Sequence, residues 1–169
     1  MRTYTAEDAE AAFKNWASND NVTKYLNRKT HSDIAETREY IGTLLKNEKE
    51  HHYTWVIELK STGELIGEIG TINAFHRRIA EIGFCIGEAW QRQGYASEAL
   101  AAVMRFFFTE NHANRVWGCH DVKNPNAGKV MLKCGLKYEA TARQAARNNT
   151  GVCDIAVYGI IAEDFFDLS

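Results

Sequence analysis

The sequence predicts an α+β or α/β sandwich built around a mixed sheet. Two observations lead there. Apolar residues recur at helical spacing in some stretches and in two-residue alternation in others. The resulting order is two helices, three strands, a helix, a strand, a helix and a hairpin, which interleaves the two types. A chain of 169 residues has the size of one domain, residues 1–169, and buries about 70% of its unfolded surface, enough for a core without staples.

The first helix is expected over about Ala6 to Ser18, with Thr5 as cap, Asp8 three residues on, and Ala9, Phe13 and Trp16 on one stripe. Asn19-Asp20-Asn21 breaks it. A second helix starts near Ser32 or Asp33, with Ile34, Ile41, Leu44 and Leu45 as its apolar face. Tyr53 to Leu59 alternates as a strand, Ser61–Glu64 turns, and Leu65 to Ile72 returns. Glu81–Ile86 reads as a third strand. A loop at Gln91–Ala96 opens a helix from about Ser97 to Glu110, buried through Leu100, Val103, Met104, Phe107 and Phe108. Arg115–Val122 is again a strand. Asn124 suits an N-cap and Pro125 the first helical position of a short helix that ends at Cys134, with Gly135 in the left-handed turn. Leu136–Ala146 and Val152–Ile161 form the closing hairpin.

Composition excludes several classes. Twenty Lys+Arg against 22 Asp+Glu leave a net charge of -2, without the basic field a general nucleic-acid binder needs. No apolar run approaches the ~18–20 residues of a membrane span, and the polar start carries no signal region, so the expected compartment is the cytoplasm, with no membrane partner. Cys85, Cys119, Cys134 and Cys153 lack any Cys-x-x-Cys spacing and are expected reduced and packed. Cys119 and His120 are strand neighbours pointing to opposite faces, so they cannot pair locally as nucleophile and base. His51-His52 has no third ligand spaced for a metal.

The stretch from Ile86 to Ser97 is the most informative. A strand ends, small residues occupy Gly94, Ala96 and Ala99, and a helix begins. A helix N-terminus offers unpaired N–H groups and about half a positive charge, and small side chains let a diphosphate reach them. A tight turn using glycine for backbone freedom describes the same residues equally well. The loop is neither a Walker loop nor a Rossmann Gly-x-Gly-x-x-Gly. It matches Gln/Arg-x-x-Gly-x-Gly/Ala as Gln91-Arg92-Gln93-Gly94-Tyr95-Ala96, and here it resembles the acyl-CoA-binding loop of the GCN5-related N-acetyltransferase (GNAT) superfamily. Within it the chain is similar to the ribosomal-protein N-terminal alanine acetyltransferase branch. The likeness rests on Ala80-Glu81-Ile82-Gly83-Phe84, Gly94 to Ala99, Asn124-Pro125-Asn126-Ala127, Lys133-Cys134-Gly135-Leu136 and Asp154-x-x-x-Tyr158. It covers nearly the whole chain in order.

The resemblance implies an α/β/α sandwich with a mostly antiparallel sheet, a central splayed parallel strand pair and helices on both faces. It implies acetyl-CoA as cosubstrate and no metal. Backbone N–H groups from Arg92 to Ser97, with Gln91, would hold the diphosphate; Arg92 adds charge there or is simply solvated. The third strand would bulge and splay, with the pantetheine arm against Phe84, Cys85 and Ile86 and the Ile86 N–H donating to the thioester carbonyl. Asn124 would touch the pantetheine amides or the acceptor, or only cap its helix. Trp90 would pack beneath the loop. Glu81 is the candidate base or water-orienter, its alternative being a surface carboxylate paired with Arg77 or Arg78. Relatives carry Ser or Tyr hydroxyls where this chain has Ala127 and Met131, so the thiolate would take its proton from water. The acceptor, a peptide N-terminus or small amine, would sit between the Asn19–Leu26 loop and the Asn148–Gly151 turn, walled by Tyr25, Asn73, Arg77 and Tyr158. A homodimer is compatible with all of this.

Overall fold

The structure is a computed structural model that describes residues 1–47 and 51–167. Its seven strands are β1 (Arg2–Thr3), β2 (Thr54–Glu58), β3 (Leu65–Thr71), β4 (Ile79–Ile86), β5 (Arg115–Asp121), β6 (Lys137–Asn148) and β7 (Gly151–Ile161). They form one sheet in the order β1-β2-β3-β4-β5-β7-β6. Every neighbouring pair is antiparallel except β4 and β5. This is the mixed, mostly antiparallel sheet with a central parallel pair.

One face carries a helical run from Ala6 to Ala17, whose central turn is α1 (Ala9–Ala12), then α2 (Asp20–Thr23) and α3 (Ile34–Asn47). Its core joins Trp16, Ile41, Val56, Leu65 and Cys85. The other face carries α4 (Tyr95–Arg105), extended by a π turn over Phe106–Glu110, and α5 (Pro125–Lys133). Leu100, Val103, Met104, Phe107 and Phe108 are buried there, as the spacing predicts, among Ile66, Ile69, Ile82 and Val116. α6 (Ala162–Asp167) follows β7.

Three local differences have physical reasons. Asn19 does not simply end the first helix: its side chain accepts the N–H groups of Asn21 and Val22 and starts α2. Asn124 precedes α5, but its side chain makes no cap bond; Asp121 organises the turn instead, with its Oδ1 accepting Lys123 N–H at 2.8 Å. β1 and α6 are too short to show a period. As anticipated, Gly135 closes α5 at φ 90°.

β6 is an edge strand whose pairing with β7 shifts register twice, between Tyr138 and Ala140 and between Ala142 and Ala146. No helix among the described residues is long and apolar enough to cross a membrane.

Candidate active site

The site begins with a gap in the sheet. β4 and β5 pair only at Ile79–Arg115, Ala80–Val116 and Glu81–Trp117. Beyond Glu81 they part, while β4 stays paired to β3 from Ile82–Thr71 to Ile86–Gly67 with no register shift. The strand therefore splays without the expected bulge. Gly87 N–H donates to Ile66 O at 2.8 Å and Ile72 N–H to Glu81 O at 2.9 Å. This alternation turns the main-chain groups of Gly83 and Cys85 toward β3, and those of Ile82, Phe84 and Ile86 toward the gap. Gln91 Nε2 occupies the Ile86 carbonyl at 3.0 Å, and the Ile86 N–H faces the opening. Gly118 keeps the apex tight: a Cβ there would lie 2.9 Å from Ile82 O and 3.4 Å from Met131 Sδ.

Next to the gap, Gly94 at φ 92° is the N-cap of α4, and no side chain caps that helix. The Glu98 N–H bonds back to Gly94 O at 3.1 Å. The N–H groups of the first turn, from Tyr95 to Ser97, are those a helix leaves without i→i−4 partners. Gln93 Nε2 folds back onto Ala89 O at 3.1 Å, and Cys134 Sγ meets Ser97 O at 3.3 Å, tying α5 to this turn. A helix start without a side-chain cap, beside a strand edge with unpaired amides, fits a ligand carrying both a diphosphate and an amide-bearing arm.

A cavity of about 230 Å³ passes through the gap, lined by Tyr25, Glu81, Cys119, Asn124, Ala127 and Met131 among others. Glu81 is half-buried. Burial pushes its carboxyl above the ordinary range, against the opposing hydrogen bond from Asn73, whose Nδ2 donates at 2.7 Å. The alternative pairing with Arg77 or Arg78 is not formed: Arg78 Nε donates to His112 O, and Arg77 is exposed in a turn at φ 51°. Cys119 is pushed up to about 11 by burial, with the charge of Glu81 adding, so it stays a neutral thiol at pH 7 and is a poor nucleophile. His120 points the other way. Its ring stacks on Tyr158 with centroids 5.4 Å apart, and both approach Gly128 of α5. Chain neighbours on opposite faces do not meet, as expected.

The structure lines this opening with Tyr25, Glu81 and Asn124, ties the exposed Asn73 to it only through Glu81, and leaves three anticipated residues outside it. Tyr158 lies under α5, not on the acceptor wall, because its hydroxyl packs against Gly128 of that helix. The main chain of Cys85 is committed to β3 and its thiol is buried beneath the N-terminal helices, pushed up to about 12 by burial. Arg77 does not line the cavity. The segment from Asn19 to His31 covers this face and is clipped on both sides. Asn19 and Asn21 donate to Glu88 at 2.9 and 3.2 Å, and Asn149 Nδ2 donates to Thr23 O at 2.9 Å and Arg28 O at 2.8 Å.

Sequence reasoning missed a buried polar cluster on the same face. Glu68, 6% exposed, accepts from the Tyr4 hydroxyl, the Tyr40 hydroxyl at 3.1 Å and Arg28 Nη1. Arg28 Nη1 also reaches Tyr40 Oη at 2.8 Å. Burial is the largest influence and works against the charged guanidinium, but Glu68, with Cys85 and Tyr40 adding, holds Arg28 well above its usual range. The available signal was one carboxylate inside the apolar run Leu65–Ile72. His52, without metal-binding company, lines the adjoining cavity; no cluster of three or more metal-ligating side chains occurs among the described residues.

Comparison with known proteins agrees with this geometry. Residues 1–137 match the family model described as an acetyltransferase (GNAT) domain. The uncharacterized N-acetyltransferase YoaA of Bacillus subtilis (strain 168) is 34% identical over 165 residues, 95% of this chain and 92% of that protein. The ribosomal-protein-serine acetyltransferase of Escherichia coli (strain K12) is 33% identical over 106 residues, 59% of this chain and 56% of that protein. A solved structure of RimL, a ribosomal L7/L12 alpha-N-protein acetyltransferase in complex with coenzyme A, superposes with a TM-score of 0.86 at 21% identity, covering 96% of this chain and 93% of that one. With a family model covering most of the chain and a relative aligned along nearly all of it, this protein is an acyltransferase and belongs to the GNAT acetyltransferase family.

Proposed function

We propose that the protein transfers an acetyl group from acetyl-CoA directly to a primary amine, the α-amine at a protein or peptide N-terminus. The observation that carries this reading is a single half-buried carboxylate, Glu81, with a raised pKa, at the mouth of a gap edged by the free Ile86 N–H. An α-amine with pKa about 8 costs roughly 1.4 kcal/mol to deprotonate at pH 7, a lysine near 10.4 roughly 4.6. One such base is enough for the first and weak for the second. The cavity's other carboxylate, Asp121, is occupied by Lys123 N–H and by Asn148 Nδ2 at 2.8 Å, so no acidic cluster awaits a polyamine.

Acetyl-CoA supplies the activated acyl carbon. The first turn of α4 and Gly94 hold its diphosphate, and Phe84 and Ile86 pair with its arm. Asn124, just before α5, faces it. The Ile86 N–H donates to the thioester oxygen as charge develops there. Glu81, directly or through water, takes the proton the amine sheds as the new C–N bond forms. The C–S bond breaks, and the thiolate, of pKa about 8.5, is protonated by water. The neutral Cys119 thiol favours direct transfer over an acyl-cysteine.

The test is release of free CoA thiol over a panel of N-terminal peptides, polyamines and blocked lysines. Amine-dependent release greatest with free peptide N-termini supports the reading. Polyamine preference overturns the acceptor. CoA binding with no release from any amine of the panel overturns the reading.

A further inference from the structure

A second cavity, about 300 Å³, lies on the acceptor face of the sheet. It shares Leu26, Asn27, Ile72, Gly83 and Phe84 with the cavity at Glu81, so the two adjoin. Its floor includes the cross-strand pair Gly70–Gly83. Its walls include Leu26, Leu44 and Ile72, and its far end is the Arg28–Glu68–Tyr40 cluster. The spare hydrogen-bonding capacity of that cluster is of one kind. Glu68 already accepts from three donors. Arg28 Nε is buried without a partner, and Arg28 Nη2 makes only a long contact with Cys85 Sγ at 3.7 Å. The cluster can give hydrogen bonds to an oxygen and has little to offer a second ammonium.

The spacing sets a ruler. Glu81 and Cys85 sit on this face of β4, four residues apart, and Cys85 pairs with Glu68. At ~3.3 Å per residue the reacting amine and the guanidinium are separated by about 13 Å, the reach of roughly four extended residues.

Resting on the α-amine reading, we propose that this second cavity is a subsite for the extended N-terminal segment of a peptide acceptor, with Arg28 donating to a main-chain or carboxylate oxygen about four residues from the reacting amine. A single amino acid or dipeptide does not reach it, and a polyamine presents no oxygen to it.

The experiment uses the full chain and amidated peptides of one to six residues that share an N-terminal residue, with thiol release as readout. The expected result is a rise in kcat/KM of at least about tenfold between two and four or five residues, carried mainly by KM, then a plateau. In the double variant Arg28→Met/Glu68→Gln, which leaves no unpaired buried charge and keeps an acceptor for Tyr4 and Tyr40, the ratio of long to short peptide falls to within about twofold. The ratio is internal to each protein, so a general loss of active enzyme does not imitate it. Arg28→Lys keeps the charge beside Glu68 but loses the fork, and lowers the ratio in part. A flat length dependence in the unaltered protein, or an undiminished ratio in the double variant, overturns the subsite and leaves the transferase reading standing. Release with polyamines but with no peptide of any length overturns both.

Discussion

Gly118→Ala tests the gap between β4 and β5. The added Cβ would lie 2.9 Å from the Ile82 carbonyl oxygen, a main-chain atom, and 3.4 Å from Met131 Sδ. The sulfur can move; the carbonyl moves only if β4 moves. Overpacking of this kind costs about 1–3 kcal/mol. Against it, alanine in a strand interior gains about 0.5–1 kcal/mol over glycine. The net loss is roughly 0–2.5 kcal/mol, which for a chain of this size lowers Tm by up to about 10 °C. Pushing β4 shifts the amides that line the gap, so CoA affinity measured by calorimetry falls about fivefold, close to 1 kcal/mol. Gly42→Ala is the control. Gly42 lies in α3, and a Cβ added there would meet nothing within 4 Å; alanine at this position raises stability by about 1 kcal/mol through helix propensity. If Gly118→Ala raises Tm as Gly42→Ala does and binds CoA normally, the gap is not tight at its apex and the reasoning is wrong.

Three further predictions concern the chemistry. Glu81 has a raised carboxyl in the folded state, so the fold loses stability as pH climbs from the ordinary carboxylate value through the raised one; Glu81→Gln therefore melts higher at neutral pH, and its pH–rate profile loses activity mostly below pH of about 8, where the α-amine needs a base. An unaltered profile would reduce Glu81 to a structural group. Gly94→Asp sets a carboxylate and a Cβ at φ 92° against the start of α4 and weakens CoA binding at least about tenfold, or 1.4 kcal/mol; normal binding moves the diphosphate elsewhere. Ala127→Ser puts a hydroxyl on the cavity lining and raises the single-turnover rate about tenfold, since one hydrogen bond to a charged group is worth roughly 1.5–3 kcal/mol; an unchanged rate shows that water already serves.

The main elements and the loop were legible because each rests on a local signal. α4 and its π extension announce themselves by five apolar side chains at helical spacing, and α5 by Pro125 at its first position and Gly135 after its end. Residues facing each other across the sheet were not legible. Tyr158 alternates correctly along β7, but its face is decided by pairing with Gly118 and by the room Gly128 leaves. Arg28 and Glu68 are 40 residues apart and meet only because the segment before α3 folds over β3. Cys85 looked available beside Phe84 and Ile86; strand alternation withdraws it.

The two margins of the sheet differ in length yet share a consequence. β1 is two residues long, too short to serve as a template. β6 is twelve residues long and open along one side, a form that invites other chains to add strands. Its two register shifts kink that rail, and Lys137, Glu139, Arg143 and Arg147 stud it with charge, Lys137 tied to Asp164 and Glu139 to Arg115. A partner strand would have to follow the kinks and bury those charges. The protein can thus hold its sheet open at the centre, where chemistry needs unpaired main chain, while discouraging the same unpaired chain at its rim from recruiting neighbours into fibres.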